Sequence, residues 1–253
     1  MRAAASAALL ALLAGEAAAE CRQALALGLD VSGSVDGTEY AFQRDGLALA
    51  LESPAVAETL LAVPELPVWV AVYEWAGPSW RRLLVAWTPI DGPDALAAVT
   101  GALRAAARVP SDPSTAIGDA LLYGAALLAE RTDCPLRTLD LSGDGRANTV
   151  PRPAAVKAAG ALGGITVNAL AVGVDSPVAG DIRQMEIEAL RAYFEAEVIH
   201  GPGAFVETAL GYADFEAAMR RKLLRELEGL SVAEAGEAVA APGRAEERRP
   251  FWP

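Results

Sequence analysis

The sequence predicts a doubly wound α/β domain, and three observations carry that expectation. Apolar runs at residues 24–30, 136–142 and 165–172 lack polar alternation, as strands buried on both faces do. Between strands lie amphipathic or Ala-rich stretches of helical length, which suit the crossover helices that join parallel strands. Two aromatic-rich apolar runs at 68–75 and 82–87 are separated only by "AGPSW", which fits an antiparallel hairpin.

In chain order, the first strand stops at Asp30 and leads through "VSGSVDG" into a helix over 36–51, where Tyr40, Leu47 and Leu51 supply an inward stripe. Pro54 opens a short helical piece to residue 61, because proline is tolerated in a first turn. After the hairpin, 94–107 reads as an Ala-rich helix and 115–131 as another, opening behind "PSDPST". The strand at 136–142 ends in "SGDG", and the helix at 153–162 is closed by Gly163-Gly164 ahead of the strand at 165–172. Residues 187–197 read as helix, 204–207 as a short edge strand and 214–227 as the last helix. No internal repeat is visible. From Leu230 onward "LSVAEAGEAVAAPGRAEERRPFWP" is small and charged with little to bury, so 230–253 is expected to be a disordered tail behind a domain spanning 20–229.

The 253 residues carry 33 acidic against 21 basic side chains, a net charge of −12. That field argues against general affinity for nucleic acid or anionic lipid and favours a cation or a basic partner. Residues 1–19 read as a signal peptide: Arg2, an apolar run from Ala3 to Ala14, and the small residues Ala17-Ala18-Ala19 at a cleavage point. The alternative is an Ala-rich first helix of the fold. The apolar run is too short to span a bilayer. Export predicts a periplasmic or secreted protein, and there an even pair of cysteines, Cys21 and Cys134, defaults to a disulfide; two buried thiols are the other reading. Glu20 occupies the place where a lipidation motif at Cys21 wants a small residue.

In open α/β sheets, ligands bind beyond the carboxyl ends of the strands. Three loops on that side carry oxygen ligands: Asp30, Ser32 and Ser34 in the first, Thr115 in the second, Asp144 in the third. Two-residue spacing lets alternate side chains of an extended turn face one point. Hydroxyls and carboxylates without thiolate or imidazole suit Mg²⁺, or Mn²⁺, better than zinc. Helix capping is the competing role for Ser34 and Asp36. Asp119 reads as a structural or outer carboxylate, the only histidine, His200, as a loop residue, and Trp69, Trp75, Trp80 and Trp87 first as core. Asp140 inside a core strand requires a partner, Arg137 or another cation, or else backbone amides of the site loops.

"DVSGS", Thr115 in "STAIGDAL" and Asp144 in "SGDG" resemble the metal-ion-dependent adhesion site of von Willebrand factor A domains. "VYEWAGPSW", "VAWTPI", "DLSGDGRAN", "GPGAFV" and "FEAAMRRKLL" extend the likeness to the exported bacterial VWA-like family DUF1194, over nearly all of the chain but its tail. The resemblance implies a Rossmann-like six-stranded sheet of order 3-2-1-4-5-6 with strand 3 antiparallel and helices on both faces. It implies Ser32, Ser34 and Thr115 at a Mg²⁺ ion, Asp30 and Asp144 acting through water, and a protein partner completing the shell with a carboxylate. It also makes the first and fourth strands neighbours, which puts Cys21 and Cys134 at one end of the sheet. Many A domains have a Thr-Asp-Gly turn where this chain has Ser142-Gly143-Asp144-Gly145, so a displaced Asp144 is expected.

No phosphate loop, GxGxxG, GxSxG or HExxH pattern occurs, and a non-enzymatic binding role is expected. The alternatives are a VWA scaffold with a structural or vacant site, acting through its hairpin face or tail, and a Mg²⁺-dependent hydrolase using Asp30 as nucleophile.

Overall fold

The computed structural model describes residues 21–173 and 181–240; the expected leader, 174–180 and 241–253 lie outside the described residues. The strands are β1 (Gln23–Asp30), β2 (Val68–Trp75), β3 (Arg81–Pro89), β4 (Leu136–Gly143), β5 (Thr166–Val172) and β6 (Val206–Ala209). The helices are α1 (Gly37–Glu52), α2 (Pro54–Leu60), α3 (Pro93–Ala105), α4 (Ile117–Ala129), α5 (Pro153–Ala158), α6 (Asp181–Tyr193) and α7 (Phe215–Ala240). They build one sheet in the order β3-β2-β1-β4-β5-β6. Only β2 and β3 pair antiparallel; the other neighbours are parallel. The order in which strands are laid down reverses between β1 and β4, which run parallel, so the switch point lies at the carboxyl ends of those two strands.

Alternation along β1 sorts the two faces. Leu25, Leu27 and Leu29 pack with Leu47 and Leu51 of α1, Leu60 of α2, Leu96 of α3 and Leu223 of α7. Ala24 and Ala26 face the other way, toward Leu121 and Leu128 of α4, Val156 of α5 and Phe194. Phe194 opens a π-helical turn, Phe194–Val198, that prolongs α6. The expected tryptophan cluster is divided between the two cores: Trp75 is buried, Trp69 and Trp87 pack on the α4 side, and Trp80 on the α1 side.

On the α1 and α7 side, β4 presents a polar row, Thr138, Asp140 and Ser142, all buried. Thr138 Oγ1 accepts from Gln23 Nε2 at 2.9 Å, and Ser142 Oγ donates to Gln43 Oε1 at 2.8 Å. Asp140 is answered by Lys222 of α7, whose Nζ lies 2.6 Å from Asp140 Oδ2 and 2.6 Å from Glu226 Oε1. Asn168 of β5 also donates to Glu226, at 2.7 Å. The counterion is therefore Lys222 rather than Arg137 or the loop amides. Ammonium reach explains this: a residue at the β4 amino end sits at the rim, whereas α7 lies across the middle of the strand.

Cys21 and Cys134 form a disulfide with Cα atoms 4.8 Å apart. Parallel pairing of Gln23 with Leu136 brings the two chain segments side by side at the amino end of the sheet, within the separation a disulfide needs. Asp133 lies close to both sulfurs, but bonded sulfurs offer no thiolate to a metal.

Several boundaries differ from expectation: α5 ends at Ala158 rather than 162, α6 begins at Asp181 rather than 187, and β6 lies two residues later than the expected 204–207. Thr115 lies two residues ahead of α4, which starts at Ile117. The last helix reaches Ala240, so residues 230–240 of the expected disordered tail are helical. Their sequence is Ala- and Glu-rich without proline until Pro242, and helix propensity there outweighs the lack of apolar residues. Among the described residues no helix is long and apolar enough to cross a membrane.

Candidate metal centre

β1 delivers Asp30 to the switch point as its last residue, with 0% exposure. Its Oδ1 accepts from the backbone N–H of Ser32 at 2.8 Å, a local turn that folds Ser32 back over the strand end. Gly33 N–H donates to the Pro113 carbonyl at 3.0 Å, and Ser111 Oγ to the Val31 carbonyl at 2.6 Å, so the first and second loops are sewn together. Arg108 donates to the Val35 carbonyl at 2.6 Å. Asp36 then caps α1, its side chain accepting from Thr38 and Glu39 N–H while the Glu39 carboxylate accepts from the Asp36 N–H. The competing cap role thus falls to Asp36 and leaves Ser34 to the site.

The second loop is held by reciprocal bonds: Thr115 N–H donates to Asn148 Oδ1 at 2.9 Å and Asn148 N–H to the Thr115 carbonyl at 3.1 Å. Thr115 Oγ1 lies 3.4 Å from Ser32 Oγ, which lies 3.3 Å from Ser34 Oγ. Ser34 Oγ donates to Asp144 Oδ1 at 2.6 Å. The structure therefore links Ser32, Ser34, Thr115 and Asp144 hydroxyl to hydroxyl to carboxylate, with Asp30 bonded to Ser32 beneath. The additional glycine does not remove Asp144 from this group. Gly143 has a steric reason: a Cβ there would sit 3.2 Å from Asp30 Oδ2 and 3.4 Å from the Phe194 ring.

Three polar side chains outside the expected set hold it in place. Gln43 of α1 is fully buried and donates to the Asp30 carbonyl at 2.8 Å while accepting from Ser142. Tyr212, in a short 3₁₀ turn ahead of α7, donates to Asp144 Oδ2 at 3.2 Å. Asn148 is the third. Gln43 had a sequence signal, a polar residue between Tyr40 and Leu47 on the inward stripe of α1. Asp119 and His200 are not part of the cluster: Asp119 lies in the first turn of α4, and His200 forms a backbone bridge to Val167 near the opposite end of the sheet.

Electrostatics test whether a cation fits. Burial pushes the Asp30 carboxyl up to about 8, the charge of Asp144 adds to the rise, and the Ser32 bonds pull against it. Burial also raises Asp144, against donation from Ser34 and Tyr212. Asp30 Oδ2 is buried without a hydrogen-bond partner, a costly arrangement for a carboxylate. Two facing carboxylates, three hydroxyls and an orphaned carboxylate oxygen form a set that a hard divalent cation fits.

Solved structures share this fold at low identity. The pilus adhesin SpaC from Lactobacillus rhamnosus GG superposes with a TM-score of 0.57 and 15% identity over 83% of this chain and 30% of its own. Proximal thread matrix protein 1 from the mussel byssus, solved with a zinc-occupied MIDAS motif, gives 0.55 and 14% over 83% of this chain and 46% of its own. A von Willebrand factor type A protein from Catenulispora acidiphila gives 0.54 and 17% over 82% and 43%. This chain spans less than half the length of each. No curated protein matches the sequence. Residues 20–231 match the family model described as protein of unknown function, DUF1194, and the chain, built on a von Willebrand factor A-type fold, belongs to that family.

Proposed function

We propose that this is an exported, non-enzymatic binding protein that captures an acidic group of a protein partner through a divalent cation at the carboxyl end of the sheet. The observation that carries the reading is the buried, unpartnered Asp30 Oδ2 within an all-oxygen cluster drawn from three loops. Asp30, Ser32, Ser34, Thr115 and Asp144 would hold the ion, Mg²⁺ or Mn²⁺. A bound cation supplies the positive charge that an incoming carboxylate needs. The protein's own contribution is positioning: Gln43 fixes the end of β1, Asn148 fixes the Thr115 loop and Tyr212 steadies Asp144. Capture suits the site better than turnover, because the only imidazole lies near the other end of the sheet. The disulfide supports an oxidising compartment, as the leader composition does. The adhesin and matrix-protein neighbours support the binding role.

Calorimetry of the mature domain is expected to show saturable Mg²⁺ or Mn²⁺ binding that Asp30→Asn abolishes. Asparagine keeps an oxygen for the Ser32 N–H and removes the buried charge, so the metal-free variant should melt no lower than the wild type. Equal titrations by both proteins, or no heat from either at about millimolar metal, count against the site. Capture of a partner from periplasm is expected with Mg²⁺ and not with EDTA. Capture that persists in EDTA favours the scaffold alternative, and metal-dependent hydrolysis of a generic phosphoester favours the enzyme.

A further inference from the structure

At the amino end of the sheet, away from the metal centre, a cavity of about 230 Å³ opens between β4, β5, the loop ahead of β6 and α7; Leu136, Arg137, Thr166, Phe205, Arg225 and Glu226 are among its walls. In this acidic chain Arg44, Arg82, Arg104, Arg131, Arg191 and Arg221 each hold a carboxylate. Arg137 makes no hydrogen bond or ion pair with any described residue, and Asp140, three residues along the strand and so on its other face, is held by Lys222. The backbone makes room for it: Arg137 Nη2 lies 2.7 Å from where a Cβ on Gly164 would stand, and Gly164 has φ +68°. Arg225 lies flat on Phe205, with Cζ 3.9 Å from the ring centroid. Stacking occupies the face of a guanidinium and leaves its in-plane N–H groups for a planar, two-oxygen acceptor.

We propose that this cavity binds a small organic carboxylate. Two guanidiniums against the one buried carboxylate of Glu226 leave one positive charge on the charged walls, which matches a monoanion rather than a phosphate dianion. Thr166 adds a hydroxyl, while Leu136 and the Phe205 edge offer apolar surface to a carbon skeleton that inorganic phosphate lacks. Seven waters, at about 30 Å³ each, would fill the space, so the ligand is of simple aromatic-acid or amino-acid size. The site is independent of the metal reading, since it shares no residue with it.

The test is an amide ¹H–¹⁵N titration of the full exported chain with sodium benzoate and, separately, inorganic phosphate, at constant ionic strength. Benzoate is expected to give saturating shifts around residues 137–138, 166–168, 203–205 and 225–226, and none at the Asp30 loop. The double variant Arg137→Gln/Arg225→Gln should weaken binding by about tenfold or more, the scale of losing hydrogen bonds to a charged group. Both residues sit at the rim, and unchanged melting would establish that the variant is folded. Shifts that never saturate, phosphate binding at the same concentrations, or a double variant that binds like the wild type would each overturn the proposal. Arg137→Gln alone serves as the second variant if the double one melts early, and the same loss is then expected in smaller measure.

Discussion

Replacing Lys222 with methionine is expected to destabilise the folded chain by about 3–5 kcal/mol, the usual cost of removing one partner from a buried ion pair. Lys222 is fully buried between Asp140 and Glu226, and methionine fills similar space without the charge. Two carboxylates would then face each other with only Asn168 donating to one of them. Burial pushes Asp140 up to about 7; Lys222 pulls it down, and Glu226 pushes it further up. Without Lys222 the carboxyl rises further. An acid whose folded pKa exceeds its unfolded value loses stability as pH climbs from the unfolded value to the folded one. The deficit of the variant should therefore be smaller near pH 5 than near pH 8 in urea melts, with those values chosen to bracket about 7. Neutralising all three, as in Asp140→Asn/Lys222→Met/Glu226→Gln, should restore part of the loss, because no uncompensated charge remains. A loss under about 1 kcal/mol, or equal losses at both pH values, would show that the three do not act as a unit.

Opening the Cys21–Cys134 bridge is expected to cost a comparable amount. It closes a loop with a sequence separation of 113 residues, which the chain-entropy model values at about 4–5 kcal/mol, an upper figure where the unfolded chain keeps structure. For a domain of this size that corresponds to a fall in melting temperature of roughly 10 °C or more. Cys21→Ser/Cys134→Ser and reductant should agree. Metal titration should be nearly unchanged, since the bridge and the oxygen cluster lie at opposite ends of β1. Thiol labelling of the protein recovered from the producing cell under non-reducing denaturing conditions decides the premise, and two free cysteines there would refute it.

The sheet was legible because its strands are bounded on both sides by turn chemistry and lack alternation, and "AGPSW" leaves room for nothing but a hairpin. The oxygen cluster was legible because "DVSGS" ends an apolar run at one point. The residues that steady it were not: Tyr212 and Asn148 reach Asp144 and Thr115 only once separate loops converge, and local composition carries no trace of that. Lys222 was within reach. Phe215, Ala218, Met219, Leu223 and Leu227 mark the buried stripe of α7, and positions 222 and 226 fall on it at helical spacing. What hid them was the run Arg220-Arg221-Lys222, whose three charges look alike until the helix docks. The π-helical turn at Phe194–Val198 has no periodic signature at all.

Asp140 lies on a central strand, and its counterion comes from the last helix described. A chain that emerges amino end first from a ribosome or a translocation pore, as nascent chains do, therefore carries the middle of β4 long before Lys222 and Glu226 arrive. Until then, closing the core over that strand would bury a lone carboxylate, which is costly. The order of emergence thus keeps the centre of the sheet open until almost all of the domain is out. In a chain that begins to fold as it emerges, the late lysine works as a timer set by position in the sequence.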